Sequence, residues 1–327
     1  MKRLALLALA LSTAPACVDF SLDWESALDE LLTIDTPSMP ANGTLYTQAR
    51  GVVIHEDGKS AHVGMHGTTC EVDTDGAWVG TDHDLPGESE VVVDAHTCPD
   101  GTQEVLVTSD DGVYVVQKDD WWDDAREDYS VDGTIDAGFT DDGIAVLADD
   151  PQDGCGVTWV DRGTGHGART PVSPDLCDAG ATVTVDPDSG DTYVVTPNDG
   201  IVRVELGGVQ SVGDAGADLA AWDKYSQMLY SAREGQGWVR GDDWHGATLW
   251  QVDVGHPILS IHNAGDRHGA LVLVDAGSQD QIVFVDALTG ESHVEMTLPD
   301  GALDISVAGN GRDIALIKPN EVYFMRL

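Results

Sequence analysis

The sequence predicts an all-β fold, a seven-bladed β-propeller of four-stranded blades whose ring is closed by an N-terminal strand. Three observations carry this. A strand-rich unit recurs about every forty residues from Tyr46 to Leu327. The units are β-branched runs separated by Asp-Gly and Ser-Gly turns, which say strand and hairpin. No helical period of useful length interrupts them, which disfavours a βαβ fold.

The chain begins with Lys2 and Arg3, an apolar run from Leu4 to Leu11, and then Ser12-Thr13-Ala14-Pro15-Ala16-Cys17. A positive start, a short apolar centre and a small-residue cleavage site are the parts of a secretory signal, expected over 1–16. The run falls short of the about 20 apolar residues that span a bilayer. Five cysteines are an odd number for an exported chain. If Cys17 is set aside, Cys70, Cys98, Cys155 and Cys177 form an even set able to make two disulfides in an oxidising compartment. Four cysteines allow three pairings, and the one with the shortest loops joins Cys70 to Cys98 and Cys155 to Cys177.

Residues 17–45 are expected to hold a short helix and the closing strand. Trp24, Leu28, Leu31 and Leu32 fall on one helical face, with Ser21 or Asp23 available as a cap. Pro37, Pro40 and Gly43 end that pattern. The propeller is expected over 46–327, with units starting near 46, 88, 133, 178, 217, 257 and 301. The cleanest runs Thr182 to Val185, Asp186-Pro187-Asp188-Ser189-Gly190, Thr192 to Val195, Asp199-Gly200, then Ile201 to Val204. Only three strands fit between Gly301 and Leu327, so a segment between Leu31 and Tyr46 is expected to supply the fourth and cover an exposed edge.

The cleavage region resembles a bacterial lipoprotein lipobox, in which the Cys after small residues is diacylated and becomes the mature N-terminus. That resemblance implies a lipid on Cys17. Val18 stands where an Asp would signal inner-membrane retention, so it also implies an outer-membrane or cell-surface position. Ala14-Pro15-Ala16 equally satisfies the rule for ordinary signal cleavage, which leaves a periplasmic or secreted protein as the alternative. The blades resemble the broad class of propellers with WD40-like, YVTN-like and NHL-like repeats. The resemblance rests on Asp286-Ala287-Leu288-Thr289-Gly290 after Ile282 to Val285, and on Asp186 to Gly190. The Gly-His and Trp-Asp pairs of true WD40 repeats do not recur.

Charge restricts the partners. The chain has 16 Lys and Arg against 58 Asp and Glu, a net charge of −42 that becomes −44 once Lys2 and Arg3 leave with the leader. Nucleic acid and anionic head groups would be repelled. A solvated surface, calcium-binding loops and a basic ligand or envelope-protein partner each account for the acidity.

Candidate sites are few. His55, His96 and His262 each lie near the end of a predicted innermost strand, where several imidazoles around an axis could hold a metal. Asp186, Asp188 and Asp191 offer the oxygen-rich turn that Ca2+ prefers, although a plain Asx turn is the simpler reading. Trp121 and Trp122, inside an acidic segment, are candidates for stacking on a sugar or a cation. No nucleophile elbow and no phosphate loop is present, and no catalytic residue is assigned. The function expected is a membrane-anchored binding or assembly platform on the cell envelope. The alternative is a metal-assisted propeller hydrolase or lyase with its site at the central channel.

Overall fold

The computed structural model describes residues 34–35 and most of 52–327; outside the description lie 1–33, 36–51, 57, 66–67, 74–82, 85–90, 98–101, 110–111, 118–125, 166, 179, 197–199, 213–215 and 319–320. The expected leader, Cys17, the short helix, Cys98, Trp121 and Trp122 all fall outside it.

After β1 (Ile34–Asp35), the first blade is β2 (Val52–Ile54), β3 (Ser60–Met65), β4 (Thr68–Asp73) and β5 (His83–Asp84). The second is β6 (Val91–Thr97), β7 (Gln103–Ser109), β8 (Gly112–Gln117) and β9 (Arg126–Tyr129). The third is β10 (Thr134–Thr140), β11 (Gly143–Asp150), β12 (Gly154–Asp161) and β13 (Gly167–Pro171). The fourth is β14 (Thr182–Val185), β15 (Thr192–Thr196), β16 (Gly200–Glu205) and β17 (Gly208–Val212). The fifth is β18 (Leu219–Asp223), β19 (Met228–Ala232), β20 (Trp238–Asp243) and β21 (Thr248–Asp253). The sixth is β22 (Ile258–Asn263), β23 (Gly269–Asp275), β24 (Gln279–Asp286) and β25 (Ser292–Pro299).

Here the expected blade count is corrected: six blades, not seven, are complete four-stranded units of consecutive strands. The chain after the sixth blade forms a composite closing sheet of β26 (Asp304–Val307), β27 (Asp313–Lys318) and β28 (Glu321–Arg326), with β1 on its outer edge. This last sheet takes its outer strand from β1, far back in the chain, and so is not a run of consecutive strands. Among the described residues, the edge of β28 is met by Ile34 opposite Val322 and Asp35 opposite Glu321. The innermost strands β2, β6, β10, β14, β18, β22 and β26 touch in that order, and β26 returns to β2.

Apolar residues build this ring because the middle strands are covered on both sides, so they read as continuous rather than alternating runs. Strand β11 shows how they are used. Ile144, Val146 and Ala148 pack with Leu106, Val113 and Val115 of the second blade. Ala145 and Leu147 point the other way, to Val194, Val202 and Val204 of the fourth. Each blade thereby shares a core with both neighbours. Cys155 on β12 is joined by a disulfide to Cys177, which ends the short 3-10 helix Pro174–Cys177 leading to the fourth blade.

Candidate functional site

The innermost strands enclose a central channel of about 600 Å³. These strands have a free edge, and their N–H groups need acceptors. Side chains from the neighbouring blade supply several. Asp94 on β6 accepts from Ala95 N–H at 2.8 Å and from Phe139 N–H of the third blade at 2.9 Å. Asp136 on β10 repeats the arrangement, accepting from Ala137 N–H at 2.9 Å and from Val183 N–H of the fourth blade at 2.7 Å. Thr184 Oγ1 accepts from Trp222 N–H at 2.9 Å, and Ser306 Oγ accepts from Ile54 N–H at 3.0 Å, which ties the closing sheet to the first blade.

Local irregularities place some of these groups. The β6–β7 pairing shifts register between Val92 and Asp94, β10–β11 between Thr134 and Asp136, and β22–β23 between Ile258 and Ser260. A bulge re-aims the side chain next to it. Burial pushes the Asp136 carboxyl up to about 7; the charge of Asp94 adds to the rise, and the two N–H groups oppose it.

Of the predicted histidines, His262 lines the channel. Its Nε2 lies 2.9 Å from Asp304 Oδ1 of the closing sheet and 3.2 Å from Ser260 Oγ. A serine–histidine–carboxylate relay needs its two partners on opposite ring nitrogens; here both meet the same one. His55 is fully buried and leaves the channel, with Nε2 at 3.0 Å from His62 Nδ1 in the first blade. His96 lies on β6 and Cys70 on β4, their side chains outside the description. Of the two histidines whose side chains are described, the channel receives one.

The Asp186 turn is closed on itself. Asp186 Oδ2 accepts from Ser189 Oγ at 2.7 Å, Asp186 Oδ1 accepts from Asp188 N–H at 3.2 Å, and Gly190 N–H donates to Asp186 O at 2.8 Å. Asp191 is ion-paired with Arg203. Among the described residues, no three His, Cys, Asp or Glu side chains gather as metal ligands would. The same turn chemistry recurs at Asp161 with Thr164, and at Asp286 with Thr289.

Sequence patterns do not single out Asp94, Asp136, Thr184 or Ser306. The available signal is a polar residue inside a β-branched innermost run, twice as Asp-Ala. Period alone does not say that its partner is the next blade's backbone.

The fold is that of a β-propeller of the kind shared by streptogramin B lyase and WD40 proteins. It is similar to a catalytically inactive histidine-to-alanine variant of virginiamycin B lyase from Staphylococcus aureus, solved with quinupristin, at 12% identity and TM-score 0.65, covering 90% of this chain and 98% of that one. It is also similar to a streptogramin B lyase, at 12% identity and TM-score 0.66, over 90% and 96% of the two chains. The WD40 domain of Neurospora crassa Pan2 matches at 14% identity and TM-score 0.65, over 90% and 93%. No protein-family model and no curated protein matches the sequence. At these identities the likeness defines the fold.

Proposed function

We propose that this chain is an exported, lipid-anchored β-propeller that serves as a binding or assembly platform on the cell envelope. The observation that carries the platform reading is the use made of the channel's polar groups. Asp94, Asp136, Thr184 and Ser306 each accept an N–H from the neighbouring blade, so they act as clasps of the ring. Recognition then falls to the turns on the two faces, where a propeller displays side chains without disturbing its core.

The leader over 1–16 and the cleavage-site Cys17 support export and anchoring. The Cys155–Cys177 disulfide supports an oxidising compartment. The mass of the mature N-terminus tests the anchor: a diacylated Cys17 as first residue is expected, and an unmodified Cys17 would overturn it. Photocrosslinkers placed on the face turns of the chain on intact cells test the platform. Discrete adducts from these turns are expected, and their absence from every turn would count against it.

A second reading, a hydrolase or lyase working at the channel, is favoured by the His262–Asp304 pair and by the lyase activity named for two of the similar structures. Its marks would be a metal retained in stoichiometric amount and an activity lost in His262→Ala.

A further inference from the structure

One end of the channel is lined by turns that join the first and second strands of a blade. The fifth blade contributes Lys224 and Tyr225 to its lining, the sixth Gly265, the closing sheet Gly309 and the first blade Glu56. These pieces are knit together. Asp266 N–H donates to Gly309 O at 2.9 Å, and Gly309 lies beside the Glu56 side chain. The His268 ring meets Tyr225 edge to face, with centroids 6.0 Å apart.

Tyr225 is 44% exposed although it lines a cavity, so it reaches solvent at the mouth. It is flanked by carboxylates: its phenol is pushed up first by burial, then by the charges of Asp266 and Glu56 and by a hydrogen bond to Asp266. The chain itself shows what such a ring holds. The Lys224 ammonium stands 5.3 Å from the Tyr225 centroid, within the range of a cation–π contact.

We infer that this corner of the channel mouth binds an organic ammonium ligand, its cationic head over Tyr225 between Asp266 and Glu56 and its remainder directed into the channel. An aromatic face beside carboxylates suits a bulky, weakly hydrated cation better than a metal ion, which wants several converging oxygens. Lys224 occupies the ring in the free protein, so the ligand must displace a tethered competitor. The overall negative charge raises the local concentration of any cation.

This site rests on the reading of the chain as a binding module and names its ligand class. The test is calorimetric or NMR titration of the purified full chain with choline and with its neutral isostere, in which carbon replaces the ammonium nitrogen. Saturable binding of choline alone is expected. Tyr225→Leu should weaken it about tenfold, Tyr225→Phe should retain it, and Lys224→Gln should strengthen it several-fold. Equal binding of the neutral isostere, absence of saturable choline binding, or indifference to Tyr225→Leu would overturn the site. Unchanged thermal melts of the variants separate these outcomes from misfolding. Face-turn crosslinks on cells are scored independently, so failure of the titration alone removes this site and leaves the platform.

Discussion

The seam between the second and third blades and the seam between the fifth and sixth do the same job with different chemistry. Both rest on buried aliphatic cores. On the first seam, Arg162 reaches across from the third blade and grips the buried Glu104 with both prongs, at 2.5 and 2.9 Å, while its Nε donates to Glu127 at 2.8 Å. Tyr129 donates to the same Glu127, and burial together with that carboxylate pushes its phenol up to about 12. On the second seam an aromatic pair does the work. Trp250 stacks near Tyr230 with centroids 6.0 Å apart, and its indole N–H donates to Ala287 O of the sixth blade at 2.7 Å. A propeller seam therefore needs a filled volume and satisfied polar atoms, and it tolerates either an ionic or an aromatic solution. The ionic one is the more fragile, because removing one partner strands the other's charge.

The sharpest way to break the comparison is Arg162→Ala, which takes the two-pronged cation from a buried carboxylate. A loss of about 3–5 kcal/mol in urea unfolding is expected. A loss below about 1 kcal/mol would place the pair with ordinary surface ion pairs.

The next effect lies where the third blade meets the fourth, and it depends on pH. Asp136 keeps its proton up to about 7 in the folded chain, whereas an unfolded Asp releases it near 4. Between those values the native state holds the extra proton, so stability falls as pH rises through the window and levels off above it. Asp136→Asn should remove about 2–4 kcal/mol of that slope between pH 4 and 8. Parallel slopes for variant and wild type would show that Asp136 is ionised throughout.

The aromatic seam should respond less to polar surgery. Trp250→Phe keeps a ring and loses the bond to Ala287, at a cost of about 1 kcal/mol. A loss as large as that of Arg162→Ala would erase the distinction between the seams.

The smallest effect is a gain, within the fifth blade. In the recurring Asp-x-x-Ser/Thr-x turn, the last position has positive φ at Gly165 (66°), Gly190 (74°) and Gly290 (67°), and the equivalent Gln227 adopts 51°. A side chain there is strained. Gln227→Gly should raise stability by about 0.5–1 kcal/mol, read as a higher urea midpoint at unchanged slope.

Much of the ring is legible in the sequence. Asp286 to Gly290 and Asp186 to Gly190 read as strand-joining turns, and their side chains bond locally as such turns do. The channel is harder to read. His55 and His262 both sit near the end of an innermost strand, but the pleat separates them. His55 shares a face with Val53, which packs against Val105 and Tyr114 of the second blade, while His262 joins Ser260 in the channel. A one-residue difference in register reverses the side on which a strand residue emerges. The Arg162–Glu104 clasp, 58 residues apart in the chain, leaves no local trace.

Strand periodicity and turn chemistry are properties of the sequence alone, because each is set by neighbours within a few residues, and acidity is a plain count over the chain. The completion of the last sheet by chain between Leu31 and Tyr46 is also legible there, and Ile34 and Asp35 supply it. Two outcomes had to wait for the folded ring: the clasping of neighbouring blades by channel carboxylates, and the meeting of Tyr225, Asp266 and Glu56 at one mouth. They depend on which blade edges face each other, and that is fixed only when the ring closes and every inner-strand N–H must find its acceptor.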